Sequence, residues 1–406
     1  MADEAAITEP TLAAMTGDER RAAGVACGAH ALHDGFTDLI YVMLPVWQAE
    51  FGLGYAELGL LRGIFAGAMA TLQIPSGWLG ERLGTAAVLA GGTTLVGLAY
   101  CLAGLSFGIT TLVFALLLGG IGASTQHPLA AALVARAFSG ARSLKALGTY
   151  NFAGDIGKMT LPATAALLLA WMPWRPTIAL LGAFGIGAAA LIFVLTPRFA
   201  TQVGSASALE ADASASFDRP RGRFAFPLLL LIGIFDSATR MAFLTFLPFL
   251  LTSKGASIPT IGIALTLVFA GGAAGKLVCA FIGARLGVIA TVWLTEGFTT
   301  ITIVVLLPLP LEAALALLPI VGIALNGTSS VLYGSVPELV EPLRRTRAFG
   351  IFYTGTIGAG AIAPALYGLV GDMFGVPVAL VIVASTALVT LPLAAALRPA
   401  FASARR

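Results

Sequence analysis

The chain has 406 residues, 58% of them hydrophobic and 11% charged, with a formal net charge of +3 and a mean hydropathy of +0.93. Soluble domains carry about 25% charged residues, and a water-soluble fold of this size could not hide so much apolar surface. A soluble class is excluded; the lipid bilayer is the expected surrounding, and no nucleic-acid partner is expected.

Residues 1–21 open on an acidic, non-apolar stretch that does not read as a cleavable signal peptide, and they are expected to form a cytoplasmic tail. Apolar runs of bilayer-spanning length then predict six helices at 22–48, 55–79, 85–106, 109–136, 145–170 and 176–196, together a first half over 22–196. Residues 197–225, rich in Ser, Ala and Arg, cannot span a membrane and read as a cytoplasmic linker. Six further spans at 226–251, 258–282, 288–309, 313–336, 347–370 and 376–397 make a second half over 226–397, followed by a tail at 398–406. Cys27, Cys101 and Cys279 lie far apart inside apolar runs, so neither a disulfide framework nor a metal site is expected. No cofactor is expected either.

Orientation follows from the basic residues. Segments on the N-terminal side of the spans hold nearly all the loop Lys and Arg, including Arg82, Arg142, Arg285 and Arg344, whereas the other side has only Arg175 and Lys254. The positive-inside rule places both termini and the linker in the cytoplasm. The halves also resemble each other. Tyr55–Gly84 aligns without gaps on Ile258–Gly287, and the same offset superposes Leu44-Pro45 on Leu247-Pro248. An offset one residue shorter places Gly148 on Gly350 and Pro162 on Pro364. The expected fold is an all-α polytopic protein of twelve transmembrane helices in two pseudo-symmetric six-helix halves. Parallel repeats of this kind point to a transporter with its site between the halves near the midplane.

Ionisable groups at membrane depth are expensive and mark functional positions. Span 1 carries His30, His33, Asp34 and Asp38, of which His30, Asp34 and Asp38 recur every four residues and so form one stripe. Span 2 carries Arg62 and Gln73; span 4 Gln126, His127 and Pro128; span 5 Asn151, Asp155 and Lys158; span 7 Asp236 and Arg240; span 8 Lys276; span 9 Glu296; span 10 Asn326. Each has a plainer reading. Asp236 with Arg240 and Asp155 with Lys158 can neutralise each other along one helix, His127 can satisfy a carbonyl freed by Pro128, and Arg62 can snorkel outward. Glu296, on span 9, reads as peripheral or mis-phased. Asp34, mid-span beside two histidines, is the strongest candidate for reversible protonation.

Between spans 2 and 3, Gly77, Glu81, Arg82 and Gly84 resemble the G-x-x-x-D/E-R/K-x-G signature of the major facilitator superfamily. In that family this loop packs on the neighbouring half and stabilises one access state. Gly77 suits a close helix contact, Gly84 a tight turn, and the Glu81 and Arg82 charges can pair across the interface. The copy at Gly283–Gly287 lacks the acidic residue. Within the superfamily, His30–Leu53, Glu57–Arg62, the Gly120, Gly122, His127 and Pro128 pattern and the Gly148–Gly157 run resemble the bacterial fosmidomycin-resistance branch, with Leu129 in place of the branch's glutamate after His-Pro.

The resemblance implies a bacterial inner-membrane exporter of a small anionic antibiotic, driven by proton antiport and conferring drug resistance; a monomer working by alternating access is expected. Proton coupling is then expected at Asp34, His33, His30, Asp155 and His127, and substrate binding at Arg62, Gln73, Gln126, Asn151, Lys158, Asp236, Arg240, Lys276 and Asn326. An uptake symporter or exchanger for a small organic anion shares every one of these features. A membrane sensor would need a cytoplasmic domain larger than the linker. An intramembrane metalloenzyme would have to use His30, Asp34 and His127 as ligands; a transporter, not an enzyme, is expected.

Overall fold

Lipid offers no hydrogen bonds, so a chain of apolar stretches crosses it as helices that satisfy their own backbone groups. Helices account for the regular structure among the described residues, 15–198, 224–341 and 344–402, of the computed structural model. They are α1 (Gly17–Phe51), α2 (Tyr55–Leu83), α3 (Thr85–Gly104), α4 (Ile109–Ala137), α5 (Gly140–Leu168), α6 (Trp174–Leu195), α7 (Ala225–Ser253), α8 (Ile258–Leu286), α9 (Val288–Leu306), α10 (Leu311–Leu339), α11 (Arg345–Phe374) and α12 (Val376–Ala402). Most of the expected 1–21 tail and 197–225 linker, and the last residues of the 398–406 tail, lie outside the described residues.

Ten of these helices are long and apolar enough to cross a membrane. The other two, α1 and α5, have 35 and 29 residues and are long enough too. They are less apolar because they carry the charges: His30, His33, Asp34 and Asp38 on α1, and Asp155 and Lys158 on α5. The twelve-helix, all-α expectation holds.

Local chemistry explains the element ends. α1 begins at Gly17, earlier than hydropathy predicts, because Thr16 and Glu19 form a reciprocal cap: Thr16 N–H donates to Glu19 Oε2 (2.7 Å) and Glu19 N–H to Thr16 Oγ1 (3.2 Å). That backbone hydrogen bond, with Arg142 Nη2 2.9 Å away, holds the Glu19 carboxyl below its ordinary range. The expected continuous fourth span is broken at Ser124–Thr125 into pieces Ile109–Ala123 and Gln126–Ala137. Pro128 has no N–H for the Ser124 carbonyl and its ring crowds that carbonyl. At the other end of the bundle Glu50 accepts from Arg175 Nη2 (2.7 Å) and Trp174 Nε1 (3.4 Å), which keeps its carboxyl below the ordinary range. The two aligned repeat segments are equivalent elements: α2 and α8 each have 29 residues and each ends at a positive-φ glycine, Gly84 (89°) or Gly287 (82°).

The first six helices pack chiefly as α1 on α5, α3 on α6 and α4, and α2 on α4. The second six pack as α8 on α10, α7 on α11 and α12, and α9 on α10 and α12. The two sets meet mainly where α2 crosses α11 and α5 crosses α8. Gly59 permits the first crossing: a Cβ there would stand on the backbone of Pro364 and Ala365. Beside it, Asp372 of α11 accepts from Tyr55 N–H (2.6 Å) and Ala56 N–H (3.0 Å), capping the start of α2 from across the interface.

The core has a matching asymmetry. Away from the chain termini one apolar cluster joins both sets of helices and contains Trp47, Phe65, Phe243 and Phe246. Toward the termini each set keeps its own cluster, one around Leu89, Leu133 and Val134 and the other around Leu229, Leu332 and Val336. The bundle is therefore sealed at the end away from the termini and divided at the termini end.

Candidate functional site

The site is built where α1 lies against α5. Gly157 of α5 allows this approach, because a Cβ there would collide with the Ala31 carbonyl. The contact sets the α1 stripe opposite the α5 charges. Lys158 Nζ sits 3.2 Å from Asp34 Oδ2 and 3.9 Å from Asp155 Oδ1. Asp155 makes its short contacts elsewhere: Lys276 Nζ of α8 donates to its Oδ1 (2.6 Å) and Oδ2 (2.7 Å). The local Asp155–Lys158 pair weighed from spacing is thus the weaker of the two, and the charge network crosses from one set of six helices to the other.

The chain's 3 histidines gather on Asp34. His30 Nε2 is 3.4 Å from Asp34 Oδ2 and His33 Nε2 is 3.8 Å from Oδ1. The His127 ring stands edge-on to His33 at 4.6 Å and to His30 at 5.3 Å between centroids. His30 Nδ1 lies 2.8 Å from the Tyr150 carbonyl, which only an N–H there can satisfy. His30 Nε2 then faces Asp34 Oδ2 at 3.4 Å, the same oxygen that Lys158 approaches. Tyr150 stacks on His30 at 4.1 Å and its hydroxyl donates to Gln126 Oε1 (3.4 Å), leaving Gln126 Nε2 without a partner.

Arg62 does not snorkel. It is 3% exposed, its guanidinium lies 5.2 Å from the centre of the Tyr41 ring, and its Nε and Nη1 have no hydrogen-bond partner. Tyr41 reaches across to the second set, its hydroxyl donating to Met241 Sδ (3.3 Å). Gln73 is half-buried with Nε2 unpartnered, Asn326 donates to the Gly322 carbonyl (3.2 Å), and Asn151 is exposed. Arg240 Nη2 lies 3.7 Å from Asp236 Oδ2. Asp236 also faces Glu296, which is 2% exposed and therefore not peripheral: α9 turns it inward onto α7.

The four residues of the loop signature separate. Gly80, between them, packs on Leu129, and Gly84 makes the turn, whereas Glu81 and Arg82 are exposed and form no ion pair among the described residues. The sealed end is where the halves are held, so the loop charges have no neighbour to meet. Tyr41, Tyr150 and Asp372 were not anticipated. Continuing the α1 stripe from Asp34 by seven residues would have reached Tyr41; nothing local marks the other two.

His30, Asp34 and His127 also place one donor atom each within 4.8 Å of one another. The Lys158 ammonium already neutralises Asp34, which disfavours a divalent ion there.

A family model described as the Major Facilitator Superfamily matches residues 26–228 and 229–405. The chain is 28% identical over 336 residues to a probable 4-methylmuconolactone transporter of Cupriavidus pinatubonensis, covering 79% of this chain and 77% of that one. It is 27% identical over 356 residues to the fosmidomycin resistance protein of Escherichia coli K12, covering 85% and 84%. Its fold is similar to the crystal structure of a bacterial homolog of the human lysosomal transporter Spinster in an inward-facing, unoccupied conformation, with TM-score 0.73, 17% identity and coverage of 95% and 97%. With twelve helices, a charged network where two sets of six meet and matches over nearly its whole length, the chain belongs to the Major Facilitator Superfamily and is a multi-pass membrane transporter of the secondary class.

Proposed function

We propose that this transporter exports a small anionic compound, of the kind fosmidomycin represents, in exchange for protons and by alternating access. The observation that carries the anion is Arg62. A buried guanidinium with two nitrogens unpartnered lacks part of its hydrogen-bonding complement, and a carboxylate or phosphonate suits its planar fork. Lys158, Lys276 and Arg240 add positive charge, with Gln73, Gln126, Asn151, Asp236 and Asn326 as further polar contacts. The approach of His30 and His33 to the buried Asp34 carboxyl, with His127 and Asp155 adjoining, supports proton coupling.

The excess of loop Lys and Arg on the termini side supports an inner-membrane orientation with both termini cytoplasmic. The divided end then opens to the cytoplasm, and Gly77, Glu81, Arg82 and Gly84 engage when that end closes. Export rests on the likeness to the fosmidomycin resistance protein. The likeness to a probable 4-methylmuconolactone transporter favours a second reading, proton-linked uptake of an organic anion.

Accumulation of fosmidomycin and of 4-methylmuconolactone in cells, with and without an uncoupler, separates the two. Export predicts that expressing cells accumulate more when the gradient collapses, and uptake predicts less. Arg62→Ala is expected to weaken binding of an anionic compound about ten- to a hundredfold, the value of charged hydrogen bonds, and that of a neutral one far less. Equal losses in a binding titration would assign Arg62 a structural role.

A further inference from the structure

Asp236 and Glu296 lie apart from the network around Asp34, where α7 and α9 meet α10. They are 4% and 2% exposed, and their carboxyl groups face each other within hydrogen-bonding reach. The charged group facing them is Arg240, 3.7 Å from Asp236. Tyr333 of α10 is a further titratable side chain nearby, with Tyr353 of α11 packed on it, ring centroids 4.7 Å apart. The α11 and α12 helices, which pack on α7 and α9, carry Arg, Lys, Asp and Glu only near their ends, at Arg345, Arg347, Asp372 and Arg398. Two carboxyls therefore stand against one guanidinium in an apolar surrounding, where an uncompensated charge is costly.

The hydroxyls beside the pair point to where the balancing proton sits. Thr295 Oγ1 donates to the Thr291 carbonyl (2.8 Å), and Thr328 Oγ1 donates to Thr295 Oγ1 (2.7 Å). Each hydroxyl has one hydrogen. Thr328, which also meets Glu296, has none left and can only accept. Glu296 thus has a carboxyl on one side and an accepting hydroxyl on the other, with no donor from either. A hydrogen on Glu296 turns its contact with Asp236 from two facing carboxylates into a hydrogen bond.

We propose that Asp236 and Glu296 form a proton-binding site within the second six helices, one proton residing on Glu296 and shared with Asp236. The site stands whatever solute is carried and whether or not Asp34 titrates. Its link to the candidate site is Arg240, whose side chain is 20% exposed and lies near Asp38 of α1. On the anion reading above, a solute that engages this guanidinium weakens its hold on Asp236 and so alters proton affinity at the pair.

Infrared spectroscopy of the purified protein at neutral pH tests the site, with the proton itself as the ligand. The C=O stretch of a protonated carboxyl is expected in the wild type, sensitive to deuterium exchange. Glu296→Gln, whose amide replaces the lost donor, is expected to remove one carboxyl's worth of that signal. The signal removed by Glu296→Gln remains in Asp34→Asn, so failure here is distinct from failure of coupling at Asp34. Thr328→Val, nearly isosteric, is expected to move the band by removing a polar contact of the Glu296 carboxyl, and serves if Glu296→Gln does not fold. A wild-type spectrum with no protonated carboxyl, a band that Glu296→Gln leaves intact, or one that Thr328→Val does not move overturns the proposal.

Discussion

Asp34→Asn is expected to abolish gradient-driven transport while sparing solute exchange. The change keeps the shape of the side chain and removes its ability to bind and release a proton. Lys158 loses its 3.2 Å partner but retains Asp155 at 3.9 Å, so the positive charge remains in the site and can still attract an anion. His30 keeps its hydrogen bond to the Tyr150 carbonyl and hence its place. A solute can therefore still enter and leave, but the proton no longer favours one access state over the other, and coupling is such a differential affinity. In proteoliposomes loaded with fosmidomycin, pH-driven flux should fall by more than about tenfold, the effect of about 1.4 kcal/mol, with counterflow changed far less. An unaltered pH dependence would sink the assignment.

The second large effect is steric. Gly59→Val is expected to force apart the sealed end of the bundle. The added carbons would meet the backbone of Pro364 and Ala365, which cannot turn aside as a side chain could, and the neighbouring Gly63 is equally close to the Ala361 carbonyl. Overpacking of this kind costs about 1–3 kcal/mol, which corresponds to roughly five- to 150-fold in the population of the sealed state. The cost falls only on conformations in which α2 and α11 touch there, so the balance moves toward those in which they do not. Spin labels at Leu60 and Leu366, both lipid-exposed on these helices, in a cysteine-free background report the separation. A longer and broader distance distribution is expected. Gly187→Val, where nothing lies within 4 Å of an added Cβ, is the control and should leave it unchanged. An unchanged distance in Gly59→Val would mean that the α2–α11 contact does not hold the end shut.

Much of this protein is legible in its chain because the bilayer imposes simple rules. Span length, the polar break after residue 196 and the turns at Gly84 and Gly287 follow from hydropathy and from where a side chain is tolerated. The stripe of His30, Asp34 and Asp38 is a matter of helical period, so its common face could be read before any partner was known. The break in α4 was also within reach, since Pro128 removes an N–H and crowds a carbonyl; hydropathy, which does not register hydrogen bonds, passed over it.

Partners are another matter, because helix crossings decide them. Asp155 has Lys158 three residues away, yet it binds Lys276, 121 residues distant, more closely. Asp372 caps a helix 317 residues earlier, and no local pattern marks it. Glu296 looked peripheral because it is isolated along the chain; the rotation of α9 turns it onto Asp236. The sequence by itself determined the class, the twelve spans, the repeat and which helices carry charge. Only the tertiary structure decided which charges meet, that the 3 histidines cluster beside one carboxylate, and which end is sealed. The reason is physical: periodicity places a side chain on a face, but small residues such as Gly59 and Gly157 set how closely two faces approach.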